Sequence, residues 1–314
     1  NMTLHLLCVF VLLIAPIIAA NPEDSFIKSG VIWTGTDGKP VHAHGGGIYV
    51  EGETYYLVGT TQKIGPVQFL SSGINLYSST DLANWHFEGV IFQNTSITNV
   101  GASGPYRIER PKIIYNEMTK KYVMWFHLDT AGFTLRNTGV ATCDTINGDY
   151  KFVAGFKPDG LDSFDMGLYK DETGAYLVRS VENKYAGISK LSDDYLKTTG
   201  IISKGPRIEG QCIFKYNKRY YLLGSHLTGW NANQAVLSIS DGDTLDGATW
   251  TEITPITSSK TTYNSQSTYV LPYVHPDGKL LFIYMGDRWA YPHVDQASYV
   301  WLPMEIHSTE NITM

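Results

Sequence analysis

Short apolar runs alternate with brief polar or glycine-containing turns along most of the chain, and beyond residue 20 no apolar stripe of helical period persists. Five times, a strand-like run is followed by such a turn and then by an aromatic-rich second run. The copies span 46–57, 110–126, 166–178, 210–223 and 267–284, with turns at 51–53, 116–120, 171–174, 217–218 and 275–278. Third runs at 73–77, 139–142, 186–190 and 235–240 lead into polar turns followed by Trp85, Tyr150, Tyr195 and Trp250. Each unit averages roughly 58 residues, somewhat more than a typical four-stranded blade. The pattern predicts an all-β fold, a five-bladed β-propeller over residues 21–305, with 306–314 as a tail or the start of a linker to a further module.

The repeat also orders the polar residues. In a propeller the innermost strand of each blade lines the channel, and the second strand returns antiparallel to it. The residue just before each innermost strand is His44, Glu109, Asp165, Glu209 and Gln266 in turn, at separations of 65, 56, 44 and 57 residues. These five are expected to converge at one channel mouth. The ends of the second strands add His127 and Asp129, Glu182 and Asn183, His226, Thr228 and Trp230, then Asp287, Arg288 and Trp289. Carboxylates supply acid and base, Asn and Thr bind hydroxyls, and an indole face stacks on a sugar ring. Taken singly, each acid reads as a turn cap or a surface partner; their matching positions in successive repeats favour a site. Trp85 and Trp250, in outer turns, read as packing residues. His42 and His44 lack the spaced partners that a metal site needs.

Composition narrows the ligand. Only 17% of the 314 residues are charged, against 30 Gly and 21 Tyr, which suits a β-rich protein that handles a neutral polar molecule rather than a disordered or coiled-coil chain. A net charge of −6 without a basic block leaves no footprint for nucleic acid. Residues 2–20 read as a secretory signal peptide, so secretion, an extracellular location and no membrane association after cleavage are expected. The rival reading is a signal anchor. Cys143 and Cys212, which remain beyond the leader, do not make a disulfide framework. Asn94-Thr95-Ser96 and Asn311-Ile312-Thr313 match the glycan acceptor pattern.

At these residues the sequence resembles family 43 glycoside hydrolases, five-bladed propellers acting on plant polysaccharides. Ser163-Phe164-Asp165-Met166-Gly167-Leu168-Tyr169 is similar to the family's Phe-Asp-Pro-Ser-Leu-Phe stretch, whose Asp tunes and orients the acid. Ile208-Glu209-Gly210 is similar to the Glu-Gly-Pro general-acid strand, and 107–112 takes the place of the Trp-Ala-Pro-Asp segment. Blade one departs: members place a general-base Asp there, whereas this chain reads His42-Ala43-His44-Gly45-Gly46-Gly47. That loss, with Glu109-Arg110-Pro111-Lys112, Asn264-Ser265-Gln266-Ser267 and Gly286-Asp287-Arg288-Trp289, resembles the fungal exo-β-1,3-galactanase branch, subfamily 24. In that branch a last-blade Gln is taken to hold the hydrolytic water, with an imidic acid tautomer invoked for it; Gln266 matches.

The resemblance implies an inverting, exo-acting enzyme that releases galactose from β-1,3-galactan. Glu209 would be the acid, Asp165 its tuner, Glu109 a holder of hydroxyls or of the base, and Gln266 the water's partner. Asn183, Thr228, Trp230, Asp287, Trp289 and His44 would bind substrate. No cofactor is required; a structural Ca²⁺ occurs in the family, but no ligand set is visible. A monomer is expected. The rivals are another family activity, such as arabinofuranosidase or xylosidase, and a binding propeller whose catalysis was lost with the blade-one Asp.

Overall fold

The computed structural model describes residues 26–61 and 71–314. The expected leader, 1–20, lies outside the described residues. Blade one comprises β1 (His44–Glu51), β2 (Thr54–Thr60), β3 (Gly73–Ser79) and β4 (His86–Gln93). Blade two comprises β5 (Tyr106–Asn116), β6 (Lys121–Thr130), β7 (Asn137–Cys143) and β8 (Lys151–Phe156). Blade three holds β9 (Ser163–Asp171), β10 (Gly174–Val181), β11 (Tyr185–Leu191) and β12 (Thr198–Lys204). Blade four holds β13 (Glu209–Tyr216), β14 (Arg219–Ser225), β15 (Val236–Ile239) and the short β16 (Thr254–Pro255). Blade five holds β17 (Gln266–Val274), β18 (Leu280–Arg288), β19 (Ser298–Ser308) and β20 (Asn311–Thr313).

Each sheet is a four-stranded antiparallel meander in sequence order. The innermost strands touch around a ring, β1 to β5 to β9 to β13 to β17 and back to β1. Apolar side chains fill the wedges between neighbouring blades. Ile114, Trp125 and Leu177 pack between blades two and three, for example, and Phe214, Tyr221 and Phe282 between four and five. The segment ahead of β1 closes the ring against blade five. Gly30 N–H donates to the Tyr299 carbonyl at 2.6 Å, and Trp33 packs within 4.3 Å of Tyr299 and 4.8 Å of Trp301, ring centre to ring centre. The structure is thus the five-bladed propeller that the repeat indicates.

The innermost strands begin earlier than the apolar pattern suggests, at His44, Tyr106, Ser163, Glu209 and Gln266. The reason is a shared irregularity. In all five blades the inner strand spends one residue more than its partner near the channel mouth, as between His44 and Gly47, Glu109 and Lys112, or Glu209 and Cys212. Such a bulge re-aims the adjacent side chain and ends regular pairing. The polar residue sits at or beside the extra residue each time, so the site is built from one defect repeated five times.

Two expectations change. Residues 306–314 do not form a tail: they supply the end of β19 and the edge strand β20, with Ile312 buried against blades four and five. Asn94 is buried, and its amide bonds Ser71, Tyr106 and the Tyr106 N–H, leaving no atom for a glycan in the folded chain; Asn311 is exposed. Cys143 and Cys212 are both free thiols. Trp85 is fully buried, and Trp250 packs beside Ser203 with its indole N–H on the hydroxyl at 2.8 Å, as expected of packing residues.

Candidate active site

The bulges open a pocket of about 480 Å³ at one mouth of the channel, lined by residues from all five blades. Glu109, Asp165, Glu209 and Gln266 all face it. In blades two and four the bulge needs a left-handed residue directly after the acid: Arg110 at φ 58° and Gly210 at φ 61°. A side chain at position 210 would place its Cβ 2.7 Å from the Ser267 carbonyl, so only glycine fits there. Arg110 holds the same conformation without that freedom. A non-glycine residue in this region costs about 1 kcal/mol, and such strain persists where surrounding bonds fix it.

Those bonds are many. The Arg110 Nη2 donates to Asp165 Oδ2 at 2.9 Å and to Gln266 Oε1 at 2.5 Å, and Nη1 donates to the Ser267 carbonyl at 2.9 Å. Its guanidinium carbon lies 5.5 Å from the centre of the Trp289 ring. Asp165 Oδ2 also accepts the Gly210 N–H at 2.9 Å, which ties this carboxylate to the residue that follows Glu209. Arg110 therefore links blades two, three and five at the pocket floor.

Glu209 opens β13 and accepts hydrogen bonds from the Gln266 Nε2, at 3.1 Å, and from the Thr228 backbone N–H. Burial and the neighbouring Asp165 charge nonetheless push its carboxyl up to about 8, against the opposing charge of Arg110. An acid so placed keeps its proton at neutral pH. Glu109 is tuned the other way. Although burial works against the charge, the His127 ring at 3.1 Å and Arg107 at 2.9 Å hold it down to about 2. Burial likewise opposes the His127 charge, yet Asp129, 3.3 Å from its Nε2, and Glu109 raise the imidazole to about 9. The pocket thus carries one protonated and one ionised glutamate in the neutral range.

Around them stand apolar walls. Trp230 lies edge-on to Trp289 at 5.8 Å and stacks on Tyr291 at 5.4 Å. Phe133 faces His127 and lies under Arg107 at 4.2 Å, while Phe164 lies beside Arg136. Asn183, Trp230 and Trp289 line the pocket as expected. Three expected substrate contacts sit elsewhere. His44 and Asp287 are buried behind the wall and paired at 2.8 Å, His44 stacked on Tyr299 at 4.6 Å. Their role is to hold the blade-one bulge, through the Gly45 N–H on Asp287 Oδ2 at 2.8 Å. The Thr228 hydroxyl is spent inside its own loop, on the Asn231 carbonyl and the Asn233 amide.

Arg110, the loop residue Phe133 and Phe164 at the start of β9 were given no site role from the sequence. A signal for Arg110 was present: it occupies the place of Gly45 and Gly210 in the repeat. No group of three or more His, Cys, Asp or Glu able to hold a metal is found among the described residues.

The model of glycosyl hydrolases family 43 matches residues 43–289, from the start of blade one to the Trp289 wall. The chain belongs to glycosyl hydrolase family 43. Among solved structures, an exo-β-1,3-galactanase from Clostridium thermocellum is 31% identical with a TM-score of 0.83, covering 91% of this chain and 64% of its own. The exo-β-1,3-galactanase of Phanerochaete chrysosporium, solved with β-1,3-galactotriose, is 32% identical with a TM-score of 0.83, over 92% of this chain and 66% of its own. The chain thus spans just under two thirds of the length of these two. A family 43 β-1,3-galactosidase with bound galactodeoxynojirimycin is 30% identical with a TM-score of 0.80, over 91% and 97%. A search among curated proteins gives no match.

Proposed function

We propose that this glycosidase removes single galactose units from the ends of β-1,3-galactan chains, with inversion, outside the cell. The observation that carries the chemistry is Glu209: a carboxyl held protonated near neutral pH on the floor of the pocket, with Asp165 and Gln266 fixed around it. A pocket drawn from all five blades suits a chain end better than a chain interior. The galactose specificity is supported by the similar structures, one of which holds β-1,3-galactotriose and another galactodeoxynojirimycin.

In this reading the terminal galactose stacks against Trp289, and Glu109 and Asn183 accept and donate to its hydroxyls. Glu209 gives its proton to the bridging oxygen as the bond from that oxygen to the anomeric carbon breaks. A water enters from the opposite face, forms the new carbon–oxygen bond and loses a proton to a base; Glu209 regains its proton from solvent. Glu209→Gln keeps the shape and removes the transferable proton. Release of galactose from β-1,3-galactan should fall by about 100-fold or more. Activity within tenfold of the parent would remove Glu209 from the acid role.

A further inference from the structure

The Gln266 amide is oriented without ambiguity. Arg110 Nη2 and Trp289 Nε1 approach one end of it at 2.5 and 3.0 Å, and neither group can accept a hydrogen bond. That end must be the oxygen. The nitrogen therefore faces Glu209 Oε1 at 3.1 Å and the Ser225 hydroxyl at 3.2 Å. Both lone-pair directions of Oε1 meet donors, and both Nε2 protons meet acceptors. Oε1 cannot carry a proton while two donors point at it, so the arrangement fits the amide and not the imidic acid tautomer.

This changes what Gln266 can do. In a protonated carboxyl the carbonyl oxygen is the good acceptor, and the hydroxyl oxygen carries the proton. The Thr228 backbone N–H also reaches this carboxyl, and the Gln266 N–H on Oε1 favours Oε1 as the carbonyl oxygen and Oε2 as the one that bears the proton. We infer that Gln266 is a positioning residue for the general acid: it selects which oxygen of Glu209 bears the proton. The relay runs from Arg110, which fixes Oε1, through the amide plane to Glu209. An amide whose oxygen already faces a guanidinium is also a poor acceptor for a proton from water.

The inference rests on the galactanase reading, and its test separates the two. In β-1,3-galactobiose the second galactose leaves through its 3-oxygen, an alkoxide that needs protonation. β-Galactosyl fluoride, which fills only the terminal-sugar position, leaves as fluoride and needs far less help. Gln266→Ala should lose about 100-fold in kcat on galactobiose but stay within about fivefold of the parent on the fluoride, the same pattern as Glu209→Gln. Gln266→Glu keeps an acceptor for Arg110 and Trp289, and so guards against a folding defect. It too should lose activity on galactobiose, because a carboxylate cannot donate to Glu209. Equal losses on both substrates, or a Gln266→Glu variant as active as the parent on galactobiose, would show that Gln266 serves the water and overturn the inference. If the parent cleaves neither substrate, the galactanase reading itself fails.

Discussion

Arg110 and Asp165 meet at 2.9 Å across the channel mouth, and the same guanidinium nitrogen also holds the amide of Gln266. One side chain from blade two thereby sets the positions of groups from blades three and five. Its left-handed backbone is the geometric condition for that reach. Arg110→Gly keeps this conformation without strain and removes the guanidinium. Activity on β-1,3-galactan should drop by about 100-fold, the scale expected when a catalytic group is displaced by an ångström. Arg110→Ala should be less stable than Arg110→Gly by about 1 kcal/mol, since alanine remains strained there. Chemical denaturation of the two variants measures the difference, and equal stabilities would contradict a strained Arg110.

Glu209 connects activity with stability. Its folded value, about 8, lies above its ordinary 4.5. The folded state resists ionisation, so a penalty on stability grows as pH rises from about 4.5 to 8 and is constant above. Glu209→Gln removes it. The variant should melt at a higher temperature than the parent at pH 9 and at nearly the same temperature at pH 4. Parent activity should decline as pH rises through about 8. A melting difference that does not change with pH would count against a raised Glu209.

The Glu109–His127–Asp129 chain predicts a second pH signature. Glu109 contributes stability above its ordinary value that is lost as pH falls toward about 2, and His127 contributes stability below 6.5 that is lost as pH rises through about 9. Both contributions are fully present between about pH 4.5 and 6.5. His127→Gln should therefore cost most in that window, about 3 kcal/mol for one partner of a buried pair. It should also move the acid limb of the activity profile up toward the ordinary Glu value of 4.5. An unchanged acid limb would show that His127 does not govern the charge on Glu109.

Trp230 belongs to the exposed wall, beside Trp289 and Tyr291. Trp230→Ala should raise KM for β-1,3-galactotriose about 3- to 10-fold, in line with one aromatic contact, with kcat within about twofold. A fall in kcat with KM unchanged would place Trp230 in the chemical step instead.

The repeat was legible because strand, turn and aromatic strand recur with little interruption, and because the bulge places a polar residue at a matching position in every blade. Glu109, Asp165, Glu209 and Gln266 could be aligned on that account. His44 occupies the matching position too, but Asp287 and Tyr299 claim its ring, a contact between blades one and five that no local pattern encodes. Phe133 reaches the pocket from a loop held by Asp129 and Thr130, so its placement depends on bonds between residues that do not alternate as in a strand. The outer strands of blade five were missed because half-exposed residues interrupt the apolar pattern of β19. Arg110 was overlooked for a different reason: the repeat marks its position with glycine, and an arginine there reads as an ordinary strand residue.

The central claim is that the Glu209 pocket hydrolyses terminal β-1,3-galactosyl bonds with inversion. Proton NMR of the protein acting on β-1,3-galactan tests it most directly, because product size and anomeric form are read together. The account predicts galactose as the sole early product, appearing first as the α anomer and then mutarotating. Early release of the β anomer, release of longer oligosaccharides, or no release at all would contradict it.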